Sequence, residues 1–353
     1  MLFRSGMVAG MGHYRIDSLL SSLDKLLMII ILGYLLWFSD YRQSFDIKYL
    51  IYGQSIAYLV ACLTAFVFII KKIKPVFKPI NAQEFLKVIK ASTPFVLIMI
   101  FMTTYNKLDG VMLGWLLNDN NYQVGVYAAA YRFYDAANMV GYLFASLLLP
   151  MYASHIGDKS MIAELLETGI KYTAALSLVI VVIVLFFGDE ILKLLYSEYQ
   201  SDFFKASQLL MISYFMVSIS YIYGTLLVAS GKVGNLNLVF GAGLVINVVL
   251  CLVLIPEYKA VGASVATLVT QSLVMVGQIY FVRKQIGITL SVQEVLRIVF
   301  FAMGISGIFL VFTSILDIEW YLILGLCILI CVLLSFIFKI FDKKDLSIIQ
   351  IKK

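Results

Sequence analysis

Charge is scarce in this chain. Of 353 residues only 14% are Asp, Glu, Lys or Arg, against about 25% in soluble domains, which is too few to cover a globule in water. Histidine occurs only twice, and His13 and His155 both fall between apolar runs, which leaves little for an imidazole-based metal or acid–base centre. The four cysteines, Cys62, Cys251, Cys327 and Cys331, lie inside apolar runs without CxxC spacing or a nearby His, so they read as packing residues. There is no Gly-rich phosphate loop, no HExxH and no GxSxG. A basic leader followed by a short apolar core and a small-residue cleavage site is also lacking, so the first span is expected to direct membrane insertion itself.

Apolar residues, by contrast, make up 62% of the chain, and the mean hydropathy is +0.95. A bilayer-crossing helix needs ~20 mostly apolar residues. Stretches of that kind, bounded by charges or turn residues, give ten candidate spans: Leu19 to Phe38, Tyr49 to Ile70, Pro94 to Leu117, Gly125 to Tyr152, Tyr172 to Phe187, Phe204 to Ala229, Leu236 to Ile255, Val261 to Val282, Val295 to Leu316 and Trp320 to Phe338. An outer-membrane barrel would instead show short alternating segments. The fold expected is therefore all-α, a polytopic transmembrane helical bundle of about ten spans.

The net charge of +6 does not point to nucleic acid, because the basic residues sit between apolar runs rather than on a soluble face. They act as topology signals. Alternate loops carry 19 Lys and Arg on one side against 5 on the other, which places both termini in the cytoplasm. The longest expected loop is the basic stretch from Lys71 to Thr93. With no extramembrane platform and no catalytic motif, the chain reads as a non-enzyme without cofactor or metal.

Six ionisable residues interrupt the spans: Asp24, Lys25, Lys107, Asp109, Arg132 and Asp135. Each costs roughly 2.5–3.5 kcal/mol at the bilayer centre, so each needs a partner or water. Asp24 and Lys25 lie close enough to the cytoplasmic end for Lys25 to snorkel. Lys107 and Asp109 are two residues apart, about 200° around a helix, and cannot neutralise each other. Arg132 and Asp135 are three apart and share a face, so they can pair.

Counting ~1.5 Å per residue from Pro94 and from Gly125 brings Lys107 and Arg132 to nearly the same depth on consecutive spans. Lys107, Asp109, Arg132, Asp135 and Tyr131 therefore form the candidate substrate cavity, one able to receive an anionic group with an aromatic ring for sugars. The competing reading is an ion network that locks the two spans together.

Four stretches carry a family resemblance. Thr93-Pro94 opens a span holding Asp109 and then Val111-Met112-Leu113-Gly114. Val124-Gly125-Val126-Tyr127 leads through Ala130 and Arg132 to Pro150. Ala229-Ser230-Gly231-Lys232 forms a tight turn. Asn247 precedes Ile255-Pro256 and Gly262-Ala263-Ser264-Val265-Ala266-Thr267. From about Arg15 to Lys284 the chain resembles the polysaccharide (Wzx-type) flippases of O-antigen and capsule repeat units, in the multidrug, oligosaccharidyl-lipid and polysaccharide exporter superfamily.

The resemblance implies two lobes around a central cavity. Residues 93–353 would be a complete lobe of six to eight helices, and 1–92 the last two helices of the other lobe, the first N-terminal helices being absent. It implies a bacterial inner-membrane transporter moving undecaprenyl-pyrophosphate-linked oligosaccharide to the outer leaflet, with membrane lipids and a polysaccharide polymerase as partners and no nucleic acid. Asp109 and Arg132 sit on the family's motif positions, whereas Lys107, Tyr131 and Asp135 come from geometry alone. The alternatives are a drug or metabolite exporter, a peptidoglycan-precursor flippase of the same superfamily, and a truncated chain that transports nothing by itself.

Overall fold

The computed structural model describes residues 14–37, 47–73, 81–117, 121–196, 201–315 and 319–338. His13 and the C-terminal basic residues lie outside them, as does the side chain of Asp24. Among the described residues every regular element is a helix: α1 (Tyr14–Trp37), α2 (Ile47–Ile73), α3 (Ala82–Leu116), α4 (Asn121–Ser154), α5 (Lys159–Leu195), α6 (Ser201–Ala229), α7 (Val233–Gln285), α8 (Val292–Ile315) and α9 (Trp320–Ile337). Seven of them, α3 to α9, are long and apolar enough to cross a membrane. The chain is thus an all-α polytopic bundle.

α7 runs for 53 residues, about 80 Å if straight, far beyond a hydrocarbon core of ~30 Å. It doubles back instead. Lys259 leaves helical geometry at φ 51 and ψ −129, three residues after Pro256. A Cβ on Gly277 would touch Val239, one on Gly243 would touch Val274, and one on Gly262 would meet the Leu254 carbonyl oxygen at 2.4 Å. These pairs centre on residue 258, as two antiparallel arms require. The arms, residues 233–258 and 260–285, are the two spans expected from Leu236 to Ile255 and from Val261 to Val282.

The Ala229-Ser230-Gly231-Lys232 turn also forms as read. Gly231 takes φ 70, the Lys232 amide donates to the Leu227 carbonyl and the Gly231 amide to that of Val228. This is the Schellman closure, in which a residue without Cβ accepts the left-handed conformation.

Two helices start earlier than hydropathy suggests. α3 begins at Ala82, so much of the expected Lys71–Thr93 loop is helical and Pro94 lies inside the helix. Residues 82–93 are mostly good helix formers, and Asn81 caps them by accepting from the Gln83 amide. α5 begins at Lys159 rather than Tyr172, because Asp158 accepts from the Ser160 and Met161 amides at its N-terminus. Amphipathic and polar turns at a helix end carry no hydropathy signal, which is why the apolar count missed both.

The chain divides into two compact units, Met1–Phe85 and Leu86–Lys353. In the first, α1 packs on α2, where Gly53, Ala57 and Ala61 place small side chains one turn apart and bury them. Small residues let two helices approach closely in an apolar medium. In the second unit α6 is the axis, packed by α4, α5 and α7, with Leu210, Tyr214, Ile222 and Leu226 fully enclosed. α8 and α9 form a separate pair against α5, and their core holds Phe301, Phe309, Cys327 and Cys331. The outward faces of that pair expose Phe300, Leu310, Leu329 and Leu333, a surface suited to lipid.

Candidate functional site

The site lies in the second unit, on α3 and α4, with the second arm of α7 behind them. α3 makes few close backbone approaches to its neighbours and buries only Tyr105, Asp109, Met112 and Leu113. Long polar side chains tie it in. Near its start, Asn237 donates to the Pro94 carbonyl at 2.8 Å. One turn apart further on, Tyr105 and Asp109 reach across to Gln271 and Thr267, which are themselves one turn apart on α7.

A cavity of about 200 Å³ opens between α3 and α4. Lys107, Tyr131, Arg132 and Asp135 line it together with Asn106 and Gly110, so four of the five candidate residues meet there. Lys107 Nζ donates to Asp135 Oδ2 at 3.0 Å and stands 4.5 Å from the centre of the Tyr131 ring. The Tyr131 hydroxyl donates to the Asn106 backbone carbonyl at 2.6 Å, which fixes the ring under the ammonium. Tyr131 is thereby a cation–π support for Lys107 as well as a cavity wall.

The same-helix pairing open to Arg132 and Asp135 is not made, because Asp135 turns to Lys107 of the adjacent helix. Arg132 is exposed and has no ion-pair or hydrogen-bond partner among the described residues.

Asp109 lies behind the cavity wall. It is fully buried and accepts from Thr267 Oγ1 at 2.6 Å, from the Tyr127 hydroxyl at 3.0 Å and from the Cys251 thiol at 3.3 Å. No cation touches it among the described residues. One turn before Cys251, Asn247 is also buried. The cavity wall therefore holds two cations and one carboxylate rather than two of each.

Thr267, Tyr127, Cys251, Asn106 and Gln271 were not singled out as site residues. Cys251 does pack, as its apolar surroundings predict, but its thiol also serves the carboxylate. Tyr127 and Thr267 stand in the quoted motif stretches, which is the available signal; nothing in their local spacing says that they meet Asp109. Tyr134, a deep aromatic, is enclosed and accepts from Gln271 Nε2 at 3.3 Å, away from the cavity wall. Among the described residues no three His, Cys, Asp or Glu side chains gather as metal ligands.

Residues 1–155 match the sequence pattern of a family described as polysaccharide biosynthesis protein. No curated relative matches the chain. Its fold is similar to that of the lipid II flippase MurJ in an inward closed conformation, with a TM-score of 0.65 at 19% identity over 93% of this chain and 68% of that one. It is also similar to an outward-facing multidrug resistance transporter of the MATE family in the MOP superfamily, with a TM-score of 0.62 at 15% identity over 80% of this chain and 65% of that one. The chain thus spans about two thirds of the length of these structures and shares their fold.

Proposed function

We propose that the chain takes part in moving a lipid-linked oligosaccharide, carried on undecaprenyl pyrophosphate, from the cytoplasmic to the outer leaflet for surface polysaccharide synthesis. The observation that carries this reading is the unpaired Arg132 on a cavity wall with an excess of one positive charge. A diphosphate needs cations, and a guanidinium fork not already held by a carboxylate is free to bind it in a bidentate way. A cationic drug would find no net attraction there. The match to a polysaccharide biosynthesis pattern and the fold shared with a lipid II flippase support the same cargo class. That second likeness also favours a peptidoglycan precursor as the alternative cargo, since MurJ is described as a lipid II flippase.

Buried without a counter-cation, Asp109 is the group to couple movement to an ion or proton gradient, since its three neutral donors stabilise charge without cancelling it. The membrane is the bacterial inner membrane, with both termini in the cytoplasm. Single-cysteine labelling of intact cells, with the native cysteines replaced, gives labelling by an impermeant reagent at positions 120 and 259 and protection at 72 and 343.

The deciding experiment is complementation of a strain lacking the transporter by the protein and its variants, with membrane expression checked by blotting. Arg132→Ala abolishes surface polysaccharide and Arg132→Lys impairs it. An active Arg132→Ala protein would overturn the diphosphate role. Rescue of a strain lacking its lipid II flippase, without rescue of the polysaccharide strain, would select the precursor alternative.

A further inference from the structure

A second cavity of about 160 Å³ lies one to three turns before Asp109 along α3, bordered by α3, α4, α6 and both arms of α7. Most of its wall is apolar, with Ile98, Met102 and Phe240 on one side. On the other side three polar side chains converge. Gln278 is 1% exposed, and neither its amide nitrogen nor its oxygen has a hydrogen-bond partner. Ser220, 6% exposed, and the Tyr221 hydroxyl likewise have none among the described residues. Gly224 sits one turn beyond Ser220 on α6, and a Cβ there would stand 3.3 Å from Gln278 Oε1. The bare glycine is what lets the amide lie against α6 at the cavity wall.

Buried polar groups are almost always hydrogen-bonded, because desolvation without a partner is costly. The buried Gln278 amide, with neither its donor nor its acceptor partnered and two unbonded hydroxyls beside it, calls for a ligand that supplies both a donor and an acceptor. No Lys, Arg, Asp or Glu lines this cavity, so the ligand carries no charge. We propose that it is a binding site for an uncharged, mainly apolar molecule bearing a hydroxyl group, of the kind that partitions into a bilayer. The hydroxyl bonds to Gln278 and Ser220, and the hydrocarbon part lies against α3 and the first arm of α7. Pockets built this way are mostly apolar with a few placed polar groups that fix orientation.

The test is photolabelling of the purified full chain in lipid nanodiscs with 3-azioctanol, an uncharged eight-carbon alcohol, the adducts being located by mass spectrometry. The expected result is saturable labelling of Met102 or Tyr221 that octanol competes away and octanoate does not. Gln278→Leu, which keeps similar bulk and removes only the polar atoms, weakens labelling about tenfold, as the loss of one or two hydrogen bonds requires. Ser220→Phe fills the cavity and abolishes labelling; a monodisperse gel-filtration profile identifies a folded variant, and if that variant does not fold, Gln278→Leu decides alone. Adducts confined to lipid-facing residues such as Leu310 or Leu333, equal competition by octanoate, or undiminished labelling in a folded Gln278→Leu protein would each overturn the proposal. The readout involves no transport, so its outcome is independent of the cargo assigned to the first cavity.

Discussion

Asp135 stands one helical turn after Arg132, yet it accepts its ion pair from Lys107 of the neighbouring helix at 3.0 Å. Both partners are more than half exposed on the cavity wall. A pair so placed in a wet cavity contributes about 0–1 kcal/mol to stability. The Lys107→Ala, Asp135→Ala double variant should therefore melt close to the parent. If the pair were instead a lock between α3 and α4, the double variant would melt well below the parent. Transport should fall with Lys107→Ala and stay low in the double variant, because the ammonium also serves the anion site.

Asp109→Asn keeps an oxygen to accept from Thr267 and Tyr127 but removes the charge. The protein should insert and melt normally, while gradient-dependent transport falls by roughly tenfold or more, because intramembrane ionisable residues mark ion and proton pathways. Export measured with and without an uncoupler reads this directly. Normal export that still responds to the uncoupler would remove Asp109 from the coupling step.

The α7 hairpin makes a pair of opposite predictions. Lys259 holds φ 51 and ψ −129, a conformation natural to glycine, so Lys259→Gly should stabilise the protein by about 1 kcal/mol after glycine's entropic cost. Gly262→Ala would drive a methyl group to 2.4 Å from the Leu254 carbonyl oxygen and should destabilise by about 1–3 kcal/mol. Thermal melting in detergent measures both. A stabilised Gly262→Ala protein would mean that the two arms do not approach as described.

Asp158 ties pH to the start of α5. The Ser160 hydroxyl and the Met161 and Ser160 amides bonded to it hold its carboxyl below the usual carboxylate range. A carboxyl so lowered stabilises the folded form above its unfolded pKa of about 4, and the benefit is lost as pH falls through the lower folded value. Amide exchange at Ser160 and Met161 should therefore be protected at neutral pH. That protection should fade in strong acid and be missing at all pH values in Asp158→Ala.

Hydropathy determined the fold class, since a bilayer core demands ~20 apolar residues per crossing, and seven of the described helices are long and apolar enough to make one. Local rules also reached Gly231, because a turn closing one helix and opening the next needs a residue that tolerates φ 70. Helical periodicity correctly separated Lys107 from Asp109, and the depth argument placed Lys107 and Arg132 on one cavity. What no local rule could supply was the choice of partners. Arg132 and Asp135 satisfy the spacing of an ion pair, but the closer offer came from Lys107, twenty-eight residues away on another helix. Asp109 meets Thr267 across 158 residues of chain and Cys251 across 142, and these hydrogen bonds to the α7 hairpin hold it behind the cavity wall. A side chain's type and its position on a helix face are set by sequence; which neighbour relieves its buried charge depends on how the helices pack, and only the tertiary structure decides that.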